Sequence, residues 1–277
     1  MVEIRWGNMI TRRLAGFASV FGARPRLLDH PRLEPGRRVY VIGDVHGHLF
    51  QLQALHDAIR QDLADRPVSH PVLVHVGDLI DRGPNSAGVL ALLQAGSPLP
   101  GVPMVNLMGN HEWMFLTALA RQDKQEAEHW LDNGGTDTLA SWGIRPSVPL
   151  ARWPDLVPRA HLLFLRGLAA RYQRGGYIFA HAGVRPGVPL AEQTWSDLLW
   201  IREPFLDRRG PLLPDAPDLV VVHGHTPELE PTIRANRIGI DTGAGRGGPL
   251  TCAVLDGDDV RFLQAKSFIE LERNMRP

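Results

Sequence analysis

Short apolar runs at 38–42, 72–76 and 104–108 each end in a turn of small and polar residues. The turns read Gly43-Asp44-Val45-His46-Gly47, Gly77-Asp78-Leu79-Ile80-Asp81-Arg82-Gly83 and Gly109-Asn110-His111-Glu112. Runs this short, bounded by glycine, predict buried strands. The opening glycines lie 34 and then 32 residues apart, about the length of a strand, a crossover helix and the next strand. After the first turn, Leu49, Leu52, Leu55, Ile59 and Leu63 recur at steps of three and four and predict an amphipathic helix. His56 reads as a surface residue of that helix. Pro84 with Asn85 or Ser86 opens a second helix, and a third is expected over about 112–121. Parallel strands one such unit apart bring their C-terminal ends to a common rim, so the three turns should meet.

The second half is richer in strands, expected at 177–180, 219–222, 237–240, 250–255 and 260–263. The first three end in His181-Ala182-Gly183, His223-Gly224-His225-Thr226 and Asp241-Thr242-Gly243, and Asp256-Gly257-Asp258 closes the last pair as a hairpin. A parallel-type half followed by a β-rich half gives an α/β fold of α+β type, a two-layered β structure flanked by helices. Residues 1–35 read as a basic extension with Arg12, Arg13, Arg24 and Arg26 around a mildly apolar stretch at 14–23. That stretch is too short and too quickly followed by arginine for a secretory signal. A short packed helix or a mobile arm fits it better, ahead of a linker with prolines 25, 31 and 35. Residues 36–277 form the main domain, in which the polar and proline-rich part over about 121–160 reads as a lid or cap.

Composition narrows the classes. The 277 residues carry 44% apolar and 22% charged side chains with a formal net charge of zero. No overall field draws the chain to nucleic acid or to an anionic membrane. No apolar run approaches the ~18 residues of a spanning helix. The single cysteine, Cys252, lies in an apolar strand-like run, excludes an intramolecular disulfide and fits a reducing, cytoplasmic setting as a core thiol. Five strand ends bearing Asp, His or Asn are a different matter. Gathering unpaired carboxylates and imidazoles is costly, and a pair of divalent cations removes the cost. Oxygen and nitrogen ligands without sulfur suit Mn, Fe or Zn.

In order and spacing, Gly-Asp-x-His-Gly, Gly-Asp-x-x-Asp-Arg-Gly, Gly-Asn-His-Glu, His-Ala-Gly and His-Gly-His-Thr resemble the metal-dependent phosphoprotein phosphatase family of the calcineurin-like metallophosphoesterases. The resemblance covers about 38–265. The stretches 198–203, 223–227 and 240–244 look most like its bacterial and phage branch. It implies a two-sheet sandwich with the metal site at the strands' C-terminal ends. It also implies two divalent ions, most simply Mn²⁺, with Asp44 and His46 on the first, Asp78 on both, and Asn110, His181 and His223 on the second. A metal-bridging hydroxide would attack phosphorus directly, with His111 as general acid oriented by Asp81. Arg82, Arg202 and Asn110 would hold the phosphate. His225 and Asp241 would support the ligands from behind.

Other polar residues keep plainer readings. Arg185 reaches substrate or forms a rim salt bridge, His48 caps the turn after Gly47, and Glu112 supports His111 or favours the start of its helix. Trp113, Trp130, Trp142, Trp195 and Trp200 pack. The implied substrate is phosphoserine or phosphothreonine in a protein. Symmetric diadenosine tetraphosphate hydrolysis, tyrosine preference and a non-catalytic scaffold are the alternatives. Asp81 and Glu112 favour the protein phosphatase over the dinucleotide branch. Oligomeric state is not legible.

Overall fold

The computed structural model describes residues 18–22 and 33–267. Strands β1 (Ala18–Gly22), β2 (Arg37–Ile42), β3 (His70–His75), β4 (Met104–Asn106), β10 (Leu250–Asp256) and β11 (Asp259–Ala265) form one sheet, in the order β1-β11-β10-β2-β3-β4. A second sheet runs β5-β6-β7-β9-β8, from β5 (Arg171–Arg174), β6 (Tyr177–Ala180), β7 (Val220–His223), β8 (Thr232–Ile233) and β9 (Arg237–Gly239). In the first sheet β2, β3 and β4 are parallel, and in the second β6, β7 and β9 are. Each sheet therefore points three strand ends the same way.

Alternation along the strands divides the core. Val39, Val41, Val74 and Val76 face Tyr177, Phe179, Val220, Val222 and Ile238 between the sheets. Tyr40, Ile42 and Leu73 pack outward under α1 (Leu49–Asp65), α2 (Ser86–Gln94) and α3 (Asn110–Arg121). Ile178, Ala180 and Val221 face a smaller cluster with Leu198 and Phe205. Strands buried on both faces read as continuous apolar runs. Each buried Val or Phe contributes about 1.5–3 kcal/mol.

Three expectations need correction. Where a short helix or basic arm was expected within 14–23, residues 18–22 form β1, antiparallel to β11 with Ala18 opposite Ala265. Pairing there satisfies an edge whose amides would otherwise face water. The rest of that extension up to residue 17, with Arg12 and Arg13, and residues 23–32 lie outside the described residues. His56 is buried, not on the surface. The leucine spacing located the centre of α1's apolar face, but the face is wider, taking in Gln51, Ala54, His56 and Asp62. His48 sits at the N-cap of α1 without a side-chain capping bond.

Residues 121–160 are mostly helical. Here α4 (Lys124–Trp130), a five-residue π turn (Leu131–Gly135), α5 (Thr136–Ser141) and α6 (Trp153–Leu156) lead to α7 (Arg159–Arg166). They bury Trp130, Leu139 and Trp153 in the core. The 256–259 turn closes β10 and β11 as expected, with Gly257 at φ 61°. Among the described residues no helix is long and apolar enough to cross a membrane.

Candidate active site

Where the parallel strands end, the chain turns sharply to aim its polar side chains. His46, Asp78, Asp81, Arg82 and His225 all have positive φ, between 44° and 75°. For residues other than glycine that conformation is strained and held by its surroundings, and it concentrates at functional sites. Glu112, at the start of α3, supplies much of the hold. Its carboxylate accepts the backbone N–H groups of Asp78, Leu79, Ile80 and Gly109 at 2.7–3.1 Å. Its role is to staple the β3 turn to the α3 N-terminus. Burial, and then the Asp78 charge, push its pKa up to about 8, and the amide donors act against them.

Asp78 lies at the centre. Its Oδ2 is 3.4 Å from His46 Nε2 and 3.9 Å from His111 Nε2, and its Oδ1 is 3.4 Å from His181 Nε2. Burial opposes its charge, but the imidazoles of His181, His111 and His46 outweigh it and hold its pKa below the ordinary value. Two groups of three, His46 with Asp78 and His111, and Asp78 with His181 and His225, each place ligand atoms within 4.8 Å of one another. His46 Nδ1 faces the Ile80 carbonyl at 2.9 Å and His181 Nδ1 faces that of Val76 at 3.1 Å. A Nδ1–H donated there leaves each Nε2 lone pair aimed at the cluster. Asn110 Oδ1 is 2.9 Å from both His181 Nε2 and His225 Nδ1. Convergent N and O donors, buried and crowded, fit a divalent cation pair, and His225 Nε2 is buried without a hydrogen-bond partner.

Asp44 stands just behind. Both its oxygens accept the His225 N–H, at 3.0 and 3.2 Å. A Cβ on Gly224 would come within 1.9 Å of Asp44 Oδ1, so the approach requires glycine. Burial, then Asp241 and Asp78, raise the Asp44 pKa well above normal. Asp241, pushed up to about 6 mainly by burial, also accepts the Gly243 N–H at 2.9 Å and so anchors its loop.

His223 does not join the cluster, contrary to the sequence expectation. It is the last residue of β7, and alternation puts it on the outer face with Val221, against the Phe205 ring at 4.9 Å. Its Nδ1 meets the Gly224 carbonyl at 3.0 Å, and burial lowers its pKa to about 4. The two residues after the strand reverse the chain, and His225 at φ 66° enters the site instead.

Beside the cluster, His111 Nδ1 is 2.7 Å from Asp81 Oδ2. Asp81 also accepts Trp130 Nε1–H at 2.8 Å and Thr138 Oγ1–H at 2.7 Å. Burial lowers the His111 pKa, but Asp78 and Asp81 overcome it and the net shift is upward. Arg82 donates to His46 Nε2 at 2.7 Å and to His111 Nε2 at 2.9 Å. A cavity of about 220 Å³ opens above, lined by Asp78, Arg82, Asn110 and His111 together with Trp200, Arg202, His225 and Arg246. Met114, Pro227, His129 and Asn133 complete its walls. A larger cavity of about 710 Å³, lined by Glu203, Asp207, Arg234 and Arg237 among others, carries none of these site residues.

Arg185 pairs with Asp197 at 2.6 Å, the rim salt bridge of the two readings. All five tryptophans pack against neighbouring rings, while Trp130 also donates to Asp81 and Trp200 lines the cavity. The sequence reading missed Trp130 and Thr138 as partners of Asp81, since they lie 49 and 57 residues further on. Arg246 was missed too. The glycines around it were the only local signal.

Residues 37–246 match the family model for calcineurin-like phosphoesterases. The chain is 34% identical over 229 residues to serine/threonine-protein phosphatase 1 of Salmonella typhimurium, covering 78% of this chain and 91% of that one. It is 27% identical over 230 residues to the asymmetrical bis(5'-nucleosyl)-tetraphosphatase PrpE of Halalkalibacterium halodurans, covering 76% and 87%. In fold it is similar to a protein serine/threonine phosphatase structure from Saccharomyces cerevisiae, with a TM-score of 0.52 at 13% identity over 84% of this chain and 81% of that one.

Proposed function

The chain belongs to the calcineurin-like phosphoesterase family, and on that premise we propose that it hydrolyses phosphoserine and phosphothreonine in proteins with two divalent metal ions, most simply Mn²⁺. The observation that carries the reading is the Asp81–His111 pair set against the Asp78-centred ligand cluster. Asp44 and His46 would hold one ion, Asn110, His181 and His225 the other, and Asp78 both. Bound there, two divalent ions supply the positive charge that offsets the phosphoryl oxygens and makes water ionisable near neutral pH.

The remaining chemistry belongs to the chain. Asp81 takes the His111 Nδ1–H and fixes the ring, so Nε2 faces the cluster. Flanking carboxylates favour the protonated ring despite burial, and once Arg82 leaves His111 Nε2 for the phosphate, an Nε2–H can give its proton to the leaving serine or threonine oxygen. That oxygen is a poor leaving group, so the proton matters. Arg82 and Arg202 both line the cavity and would fork phosphate oxygens. His46 Nε2 has one lone pair. It accepts from Arg82 or binds a cation, not both at once. With a cation on His46, the Arg82 guanidinium would be free to turn to phosphate.

The serine/threonine phosphatase relative at 34% identity and the retained Asp81 and Glu112 favour this substrate over a dinucleotide. The test is turnover by Mn²⁺-loaded protein of a phosphoserine/threonine peptide, a phosphotyrosine peptide and diadenosine tetraphosphate, with Asp78→Asn as blank. The dinucleotide is followed by its nucleotide products, because symmetric cleavage frees no phosphate. Preferred turnover of the phosphoserine/threonine peptide is expected. Preferred conversion of the dinucleotide would overturn the assignment.

A further inference from the structure

Three guanidiniums line the candidate site, and the scissile phosphate accounts for two. Arg82 lies across His46 and His111. The charge of Arg202 acts on His225. Arg246 is the third, and among the described residues Asp78 is the only acid in the same wall. A phosphate monoester brings a charge of about −2 and three terminal oxygens. Metal ions held at the base of the cavity, as proposed above, would meet much of that charge, so a third arginine is surplus to one phosphoryl group.

Arg246 is also positioned by its backbone. Gly243 and Gly247 flank a single 3-10 turn, Ala244–Arg246, and both have positive φ, 77° and 87°. The turn is closed by Arg246 N–H to the Gly243 carbonyl at 2.8 Å and by Gly248 N–H to the same carbonyl at 2.9 Å. Asp241 ties down its start through the Gly243 N–H, and the Thr242 hydroxyl donates to the Pro249 carbonyl at 2.8 Å. A Cβ on Gly245 would lie 2.5 Å from His46 Cδ2, so the loop rests directly on a candidate ligand ring. The exposed Arg246 side chain has no ion pair or hydrogen bond among the described residues. A rigid loop thus presents an uncommitted cation at the mouth of the site.

We propose that Arg246 is a specificity residue that binds a second anionic group on the substrate, a carboxylate or phosphate beside the phosphorylated residue. The inference rests on the phosphopeptide reading above and names a class within it, phosphosites in acidic or multiply phosphorylated segments. A planar fork suits either anion.

The experiment uses the full chain with Mn²⁺ and three phosphoserine peptides of one sequence, with neutral flanks, a flanking glutamate and a flanking second phosphoserine. The quantity read is the ratio of kcat/KM for each anionic peptide to that for the neutral one. The wild-type ratio should be about two to five, the range of an exposed charged contact. It should fall towards one in Arg246→Ala through KM, drop below one in Arg246→Glu and survive in part in Arg246→Lys. Gain with both flanks makes the subsite a general anion site, and gain with the second phosphoserine alone narrows it to phosphate. A wild-type ratio of one, or a ratio unchanged in Arg246→Ala, overturns the inference and leaves the phosphatase reading standing. Turnover of diadenosine tetraphosphate with all three peptides untouched overturns both.

Discussion

At the scale of single residues, two histidine environments make opposite demands. His111 gains carboxylate partners that raise its pKa, which suits a proton donor. Replacing it with asparagine should lower kcat by about 10²–10⁴ for alkyl phosphates and much less for p-nitrophenyl phosphate, whose leaving oxygen needs no proton. A dependence on leaving-group pKa unchanged from wild type would contradict the role. His56 and His75 are held neutral instead. Their Nε2 atoms are 3.3 Å apart in the core, and burial above all lowers their pKa values to about 2 and about 4. Both folded values lie below the ~6.5 of an unfolded histidine, so their contribution is complete above that pH. It declines as pH falls towards 4, because the unfolded chain binds the protons. The double variant His56→Gln/His75→Gln should flatten urea stability between pH 6.5 and 4.5 by up to about 1.4 kcal/mol per pH unit for each histidine. Parallel pH profiles for variant and wild type would refute this.

At the scale of elements, the strand ends were legible and the turns beyond them only partly. Glycine punctuation and apolar runs located β2, β3, β4, β6, β7 and β9, because a strand buried on both faces leaves a continuous signal. The choice between His223 and His225 was not legible. It depends on β7 stopping at His223 and on a positive φ at His225, which spacing alone does not encode. The helices after 121 were hidden because their polar residues face out while Trp130 and Leu139 turn in. One element-level contact, Glu112 on four backbone amides, has a direct consequence. Glu112→Gln replaces an acceptor with an amide donor and strands at least one N–H. It should cost about 1–3 kcal/mol in urea unfolding and loosen the Asp78 turn. Unchanged stability would show that the staple is dispensable.

At the scale of the whole molecule, two sheets packed face to face bring candidate ligands from five separate strand ends to one rim. Asp44 to Asp241 spans most of the domain, yet one helix start and one β7 turn hold them in register. The sandwich was readable as two halves of different strand character. The addition of β1 to the first sheet was not, because its sequence carries a weak apolar signal among arginines. The central claim is that this rim is a two-metal site completed by His225. Metal content per folded chain, with phosphoserine-peptide turnover, tests it most directly in wild type, His225→Ala and His223→Ala after loading with Mn²⁺. Two ions are expected in wild type and in His223→Ala. In His225→Ala, one ion should be lost and turnover should fall by at least about a hundredfold. Loss of metal in His223→Ala with retention in His225→Ala would contradict the account.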